Sequence, residues 1–282
     1  MQVIHEIAAM QAWSLQAARE GRAVGFVPTM GALHAGHISL VRIARARAQA
    51  VVVSIFVNPL QFGPTEDYSR YPRTLASDCA LLEPEGVDVV FAPSAEEMYQ
   101  KDAATVVEVA GLSERLDGLS RPGHFRGVST VVAKLFGIVQ PRVAVFGQKD
   151  AAQVAVLRRM VRDLNLPLEL VVGPIVREQD GLALSSRNAY LSPEERRQAL
   201  VLQRALAQVA ELAAKGERSA QTLHKLAVQV IATEPGARLD YCAVVDPDTL
   251  LPVADTGGGA LVAVAAYFGN TRLIDNLLLG RE

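Results

Sequence analysis

The sequence has two cysteines, no surplus of positive charge and no long apolar run, and each shortage removes a class of protein. Cys79 and Cys242 are too few and too far apart for a disulfide framework or a zinc-ligand spacing. Basic and acidic residues number 28 and 30, giving a formal net charge of -2, so no basic field is present to hold a nucleic-acid backbone. No stretch approaches the roughly 18 successive apolar residues that a membrane span needs. The opening MQVIHEIAAMQAW is broken by polar and acidic residues, unlike a signal peptide. There is no internal repeat and no low-complexity tract. The expectation is a cytoplasmic protein with no nucleic-acid partner and no membrane attachment. What is present is apolar material: 50% of the 282 residues are hydrophobic, enough for one large domain or one large plus one small.

Short apolar runs alternate with helical patterns over the first two-thirds of the chain. Residues 25–28, 51–57, 87–91, 143–146 and 168–172 read as strands. Helices are expected over 38–48, 75–82, 128–139 and 151–164. The strands lack polar alternation, which implies a parallel sheet covered on both faces. The fold class is therefore α/β: a Rossmann-like doubly wound parallel sheet over residues 1–175. The character then changes. Ser192-Pro193-Glu194-Glu195 is a helix start with a capping serine, a proline at the first helical position and a glutamate able to close a capping box. Helices to 214 and over 219–232, then strands over 239–245 and 260–268, suggest a smaller C-terminal α+β domain over residues 176–282. Two domains imply a cleft, where small ligands usually bind, with the smaller domain as a lid.

Four segments carry chemistry. Met30, Gly31, Ala32, Leu33, His34, Ala35, Gly36 and His37 follow the first of these strands and run into a helix, at the carboxyl end where open α/β sheets take ligands. Gly31 and Gly36 would let backbone N–H groups approach a phosphate, and the helix N-terminus adds positive dipole. Two of the chain's five histidines fall here, three residues apart, and both imidazoles could donate to phosphate oxygens. The plainer reading is a glycine turn with one histidine capping the helix. The second segment is Gly147, Gln148, Lys149 and Asp150, after another strand. Only five of the 28 basic side chains are lysine, so a lysine at this place points to a compact charge. Gln153, three residues beyond Asp150, points toward the same crevice. The third is Asn58 and Gln61, at the end of the most apolar strand, whose neutral amides suit the hydroxyl and carboxylate groups of a small polar substrate. The fourth is Leu184, Ser185, Ser186 and Arg187, with Asn188 after them: paired hydroxyls and a guanidinium that can clamp phosphate oxygens, and otherwise an ordinary loop. The basic glycine turn Arg121-Pro122-Gly123-His124-Phe125-Arg126-Gly127 either borders the site or only caps a helix.

The His34-x-Gly36-His37 turn resembles the HxGH signature of the nucleotidyltransferase superfamily, and the serine-arginine loop resembles its mobile KMSKS-type loop. In order along the chain, PTMGALHAGH, FVNPLQF, RPGHFRGV, FGQKD and DGLALSSRN resemble the pantothenate synthetase family, the pantoate–β-alanine ligases. The likeness runs from about residue 20 to Asn276. It implies that ATP binds along Met30 to His37, Gly147 to Asp150, Val176 and Leu184 to Arg187, with His34, His37, Lys149 and Arg187 acting on its phosphates. It implies that Gln61 and Gln153 hold pantoate, that Gln61 helps to receive β-alanine, that Mg²⁺ accompanies ATP, and that the protein is a homodimer. Two rival readings stand beside it. One is another HxGH enzyme with a different small acceptor, disfavoured by neutral amides where a phosphorylated acceptor would want cations. The other is a nucleotide sensor without catalysis.

Overall fold

A computed structural model describes residues 1–64 and 66–280. Six parallel strands, β1 (Gln2–Ile4), β2 (Val24–Thr29), β3 (Ala50–Ile55), β4 (Val89–Phe91), β5 (Val143–Gly147) and β6 (Glu169–Gly173), form one sheet in the order β1-β4-β3-β2-β5-β6. The connections carry helices α1 (Ile7–Arg19), α2 (Ala35–Arg47), α3 (Leu75–Leu82), α6 (His124–Val139) and α7 (Ala151–Asp163), with one-turn helices α4 (Ala95–Met98) and α5 (Asp117–Ser120). Successive residues of the strands face opposite layers. Val27, Val51, Val53, Val90, Val143 and Val145 pack with Leu40, Val41 and Ala44 of α2 and Leu82 of α3. Phe26 points the other way, where its ring meets Phe136 of α6 edge-on at 6.4 Å, and Phe136 meets Phe146 likewise. With both faces covered, strands such as AVVVSI have no polar alternation, which is the pattern that marked the sheet as parallel.

A second, antiparallel sheet consists of β7 (Ala237–Val245), β8 (Ala260–Phe268) and β9 (Thr271–Leu279) in sequence order. Long α8 (Pro193–Ala214) and α9 (Ala220–Ile231) cover it. Leu202, Leu206, Leu223 and Ile231 from the helices pack with Val262, Val264 and Phe268 from the central strand. Ser192 and Glu195 make the reciprocal capping bonds expected of that helix start, at 3.2 and 2.8 Å.

The chain divides into two compact units, residues 1–147 with 156–173, and residues 148–155 with 174–282. The division at residue 173 lies two residues before the expected boundary at 175, and residues 148–155 group with the second unit. Besides the one-turn helices α4 and α5, the strand and helix pattern read above lacks β1, α1 and β9. β1 is a three-residue edge strand, too short to show periodicity. The apolar face of α1 is partly alanine, a weak signal for burial. β9 alternates buried and half-buried residues along TRLID, and its charged members mask it as a strand.

Candidate active site

The sheet order reverses at β2: β3 and β4 lead away on one side, β5 and β6 on the other. The crevice beyond the carboxyl ends of β2 and β5 is thus the topological switch point, where open sheets take ligands. The turn leaving β2 enters it with Gly31 at φ +84 and Ala32 at φ +51, two consecutive left-handed residues. The N–H of Gly31 donates to Thr29 Oγ1 at 3.2 Å, that of Ala32 to Asp78 Oδ2 at 3.1 Å and that of Leu33 to Asp78 Oδ1 at 2.9 Å. The N–H of His34 donates to His37 Nδ1 at 3.3 Å and that of Gly36 to His34 Nδ1 at 3.2 Å. The expectation that Gly31 and Gly36 open backbone donors to a phosphate is therefore corrected: the protein's own side chains already use them.

A ring nitrogen that accepts from an N–H carries no hydrogen, so the proton of each neutral ring sits on Nε2. The two rings lie with centroids 4.1 Å apart at the start of α2, where the helix dipole favours an anion. His34 is the N-cap of α2, as the plainer reading of the motif expected, and His37 completes a capping box with it.

Gln61 lies on the 3-10 turn Pro59–Gln61 after β3 and is only 9% exposed. Asn58, 1% exposed, has a saturated amide. Its Oδ1 accepts from Tyr99 Oη at 2.8 Å and from the Leu60 N–H at 3.3 Å, and its Nδ2 donates to Gln61 Oε1 and to Gly127 O, both at 3.1 Å. The expectation that Asn58 binds substrate is corrected, because no polar atom of its side chain is left to do so. Asn58 instead holds the Gln61 oxygen, which leaves Gln61 Nε2 directed at the Met30 sulfur, 3.1 Å away. Burial pushes the Tyr99 hydroxyl above its ordinary range, so it remains a donor to Asn58.

The basic glycine turn has its place here too. His124 Nδ1 donates to Gln61 O at 2.8 Å, and Arg121 donates to that oxygen at 3.3 Å and to Glu66 at 2.6 Å. Arg121 also donates to His124 Nε2 at 3.0 Å, which fixes the neutral Nδ1–H tautomer. Burial, then the Arg121 charge, push the pKa of His124 down to about 4. A Cβ on Gly127 would collide with Leu60 O, so glycine is what lets α6 lie against the turn.

In the second unit, Asn276 of β9 ties down the Gln148–Asp150 turn. Its Nδ2 donates to Gln148 O at 3.0 Å and Lys149 O at 2.9 Å, and its Oδ1 accepts from Gln148 Nε2 at 2.9 Å. The Val176 carbonyl accepts from the Leu184 N–H at 3.0 Å, and Arg177 bridges to Ala183. A tight hairpin results, with Gly181 at φ +95 and with Arg177 paired to Asp275 at 2.6 Å. Ser185 Oγ accepts from the Arg187 N–H at 3.2 Å and caps the 3-10 helix Ser186–Tyr190. Lys149, Ser185, Asn188 and Asp275 line one small cavity of about 10 Å³. Gln153 is half-buried in the first turn of α7 within this unit. The expected residues thus gather in two sets: Met30 to His37 with Gln61 in the first unit, and Lys149, Gln153, Val176 and Leu184 to Arg187 in the second. Asp78, Tyr99 and Asn276 were missed. Asp78 alone had a signal, a carboxylate spaced with Leu75 and Leu82 on the inward face of α3.

A family model described as pantoate-beta-alanine ligase matches residues 2–278. The chain belongs to that family. It is a ligase that joins pantoate to β-alanine. It is 63% identical to the pantothenate synthetase of Koribacter versatilis, over 99% of this chain and 96% of that one. A solved pantothenate synthetase of Thermus thermophilus superposes with a TM-score of 0.93 at 51% identity, covering 98% of this chain and 99% of that one. The pantoate-beta-alanine ligase of Francisella tularensis, complexed with beta-gamma ATP and β-alanine, superposes with a TM-score of 0.78 at 33% identity, over 99% and 97% of the two chains.

The neutral, buried His124 predicts an acid-sensitive fold. Its folded pKa of about 4 lies below the ordinary 6.5. The unfolded chain therefore takes up a proton between these values that the folded chain refuses. No penalty applies above pH 6.5, and unfolding free energy falls as pH drops toward 4, by at most about 1.4 kcal/mol per pH unit. Urea unfolding of His124→Asn beside the parent between pH 7 and 4 should show a shallower decline in the variant; parallel curves would remove His124 as the cause.

Proposed function

We propose that this ligase makes pantothenate from (R)-pantoate, β-alanine and ATP by way of pantoyl adenylate. The observation that carries the reading is the pair of Nε2–H imidazoles at the switch point of the sheet, in a chain whose family name specifies the two substrates to be joined. A pantoate carboxylate oxygen attacks the α-phosphorus of ATP. The new C–O–P bond forms as the Pα–O bond to the β-phosphate breaks, and pyrophosphate leaves with the bonding electrons. His34 and His37 donate Nε2–H to phosphate oxygens whose charge grows during this step, and the N-terminus of α2 adds to the field. Lys149 supplies a compact charge, and Ser185, Ser186 and Arg187 hold triphosphate oxygens. Met30 to His37, Gly147 to Asp150, Val176 and Leu184 form the rest of the ATP site. Gln61, with its oxygen held by Asn58, offers Nε2–H to pantoate, and Gln153 is its counterpart.

The β-alanine amine then attacks the acyl carbon, AMP departs and an amide remains. Positioning and charge neutralisation account for the acceleration, so no protein nucleophile is required. Mg²⁺ enters as MgATP. Among the described residues no group of three His, Cys, Asp or Glu side chains stands ready to hold the ion by itself, and Mg²⁺ generally keeps its waters and phosphate oxygens. We assign the reaction to the cytoplasm, a reading supported by two free cysteines and by the lack, among the described residues, of any helix able to cross a membrane.

Product analysis with D-pantoate, β-alanine and MgATP should give AMP and pyrophosphate, with AMP release requiring both acids; ADP and phosphate would end the adenylate reading. His37→Ala should lower kcat/KM for ATP by about 10²-fold or more, the usual cost of losing one donor to developing charge. Tyr99→Phe, which takes one donor from Asn58 and loosens Gln61, should raise KM for pantoate about fivefold, as a lost hydrogen bond of about 1 kcal/mol would. An unchanged pantoate KM would separate Gln61 from that substrate. We also propose a homodimer. Residues 105–109, TVVEV, form neither helix nor strand, pair with no strand among the described residues, and leave Val106 55% exposed, an apolar edge suited to a second copy. Light scattering should give twice the 30.2 kDa chain mass, and Val106→Lys should shift it toward the monomer.

A further inference from the structure

Asp78 is the buried group nearest the histidine turn that the mechanism above does not use. It stands in the first turns of α3, 2% exposed, and its two oxygens grip consecutive backbone donors: Oδ2 takes the Ala32 N–H at 3.1 Å and Oδ1 the Leu33 N–H at 2.9 Å. Thr74 Oγ1 donates a third bond, to Oδ2, at 3.2 Å. The turn needs such a grip. Ala32 has a Cβ yet sits at φ +51, a conformation costing of order 1 kcal/mol, and it follows Gly31 at φ +84. A Cβ on Gly31 would stand 3.1 Å from Asp78 Oδ2 and 3.1 Å from Ile55 Cγ2, so carboxylate and turn are packed against each other. The residue after the gripped pair is His34, whose own N–H holds His37 Nδ1. The path from Asp78 to both imidazoles is one backbone step and one hydrogen bond.

We propose that Asp78 is the positioning residue for ATP: it consumes the donors a glycine turn would otherwise turn toward phosphate, and thereby commits phosphate recognition to the Nε2–H groups of His34 and His37. A bidentate acceptor is what two adjacent N–H groups require, and a carboxylate supplies it with no competing donor. Asparagine at this position keeps the shape but, in either orientation of its amide, sets an NH₂ against one of the two N–H groups. The turn then relaxes and both rings lose their fixed tautomer. The inference rests on the reading of this turn as the ATP phosphate site.

The test is Asp78→Asn, read by ATP–pyrophosphate exchange with pantoate and by imidazole ¹⁵N shifts, with His37→Ala and the exposed neighbour Ser77→Ala alongside. KM for ATP in Asp78→Asn should rise about tenfold, as the loss of a hydrogen bond to a charged group would produce. KM for β-alanine in the second step should stay within twofold. The ¹⁵N signals of His34 and His37 should move from single Nε2–H forms to tautomer mixtures, while Ser77→Ala matches the parent. A purely structural Asp78 would lower the melting temperature but leave the ATP constant and the ring signals of the folded fraction unchanged, and that result overturns the proposal. If Asp78→Asn does not fold, Thr74→Val decides: removal of the third bond should raise KM for ATP severalfold, and no change refutes the role. An unchanged ATP constant in His37→Ala would instead reject the phosphate site itself, whatever Asp78→Asn does.

Discussion

Between Gly31 and Gly36 the backbone donors of Gly31, Ala32, Leu33, His34 and Gly36 all end on protein side chains, and this saturation governs the chemistry available at the switch point. A glycine-rich turn with free N–H groups binds phosphate through the backbone. Here the same sequence length turns its donors inward to Asp78, Thr29 and the two Nδ1 atoms. The far nitrogen of each imidazole bears the hydrogen, because its partner nitrogen accepts. One set of bonds therefore fixes the left-handed turn, the start of α2 and the protonation pattern of the pair together.

The amide at Gln61 is held in the same manner, by saturation from behind. Asn58 has every polar atom occupied, Tyr99 supplies one of its bonds, and His124 and Arg121 fasten the carbonyl of Gln61 itself. Gly127 permits the close approach of α6 that brings those groups together. With its oxygen captured by Asn58, the Gln61 amide does not rotate freely. The cost is a cluster of buried polar groups in which each partner depends on the next, and a histidine whose neutrality must be kept.

In the second unit the corresponding work falls to β9. Asn276 binds two successive carbonyls of the Gln148–Asp150 turn, and Asp275 captures Arg177 beside the hairpin that presents Ser185 and Arg187. Adjacent residues of a strand point to opposite faces, yet here both fasten neighbouring loops of the unit. The bond of Asp275 Oδ1 to the Asn276 N–H, at 2.8 Å, draws the two together.

The sequence by itself determined the parallel sheet, the capped start of α8 and the pairing of His34 with His37, because these are written in local order. Runs such as AVVVSI have no polar face, Ser192 and Glu195 are three residues apart, and His34 and His37 share one turn. Local order also suggested roles for Asn58 and for the backbone of Gly31 and Gly36 that packing reversed. Whether an amide or an N–H is offered to a ligand depends on what else reaches it, and here the competitors come from 41 residues away in Tyr99 and 45 in Asp78. Asn276 meets Lys149 across 127 residues, and the polar and charged residues of its strand interrupt the apolar pattern that would have announced it. Tertiary structure alone decided which donors were spent and which remained, since a hydrogen bond is settled by proximity in space and sequence specifies only the groups that compete for it.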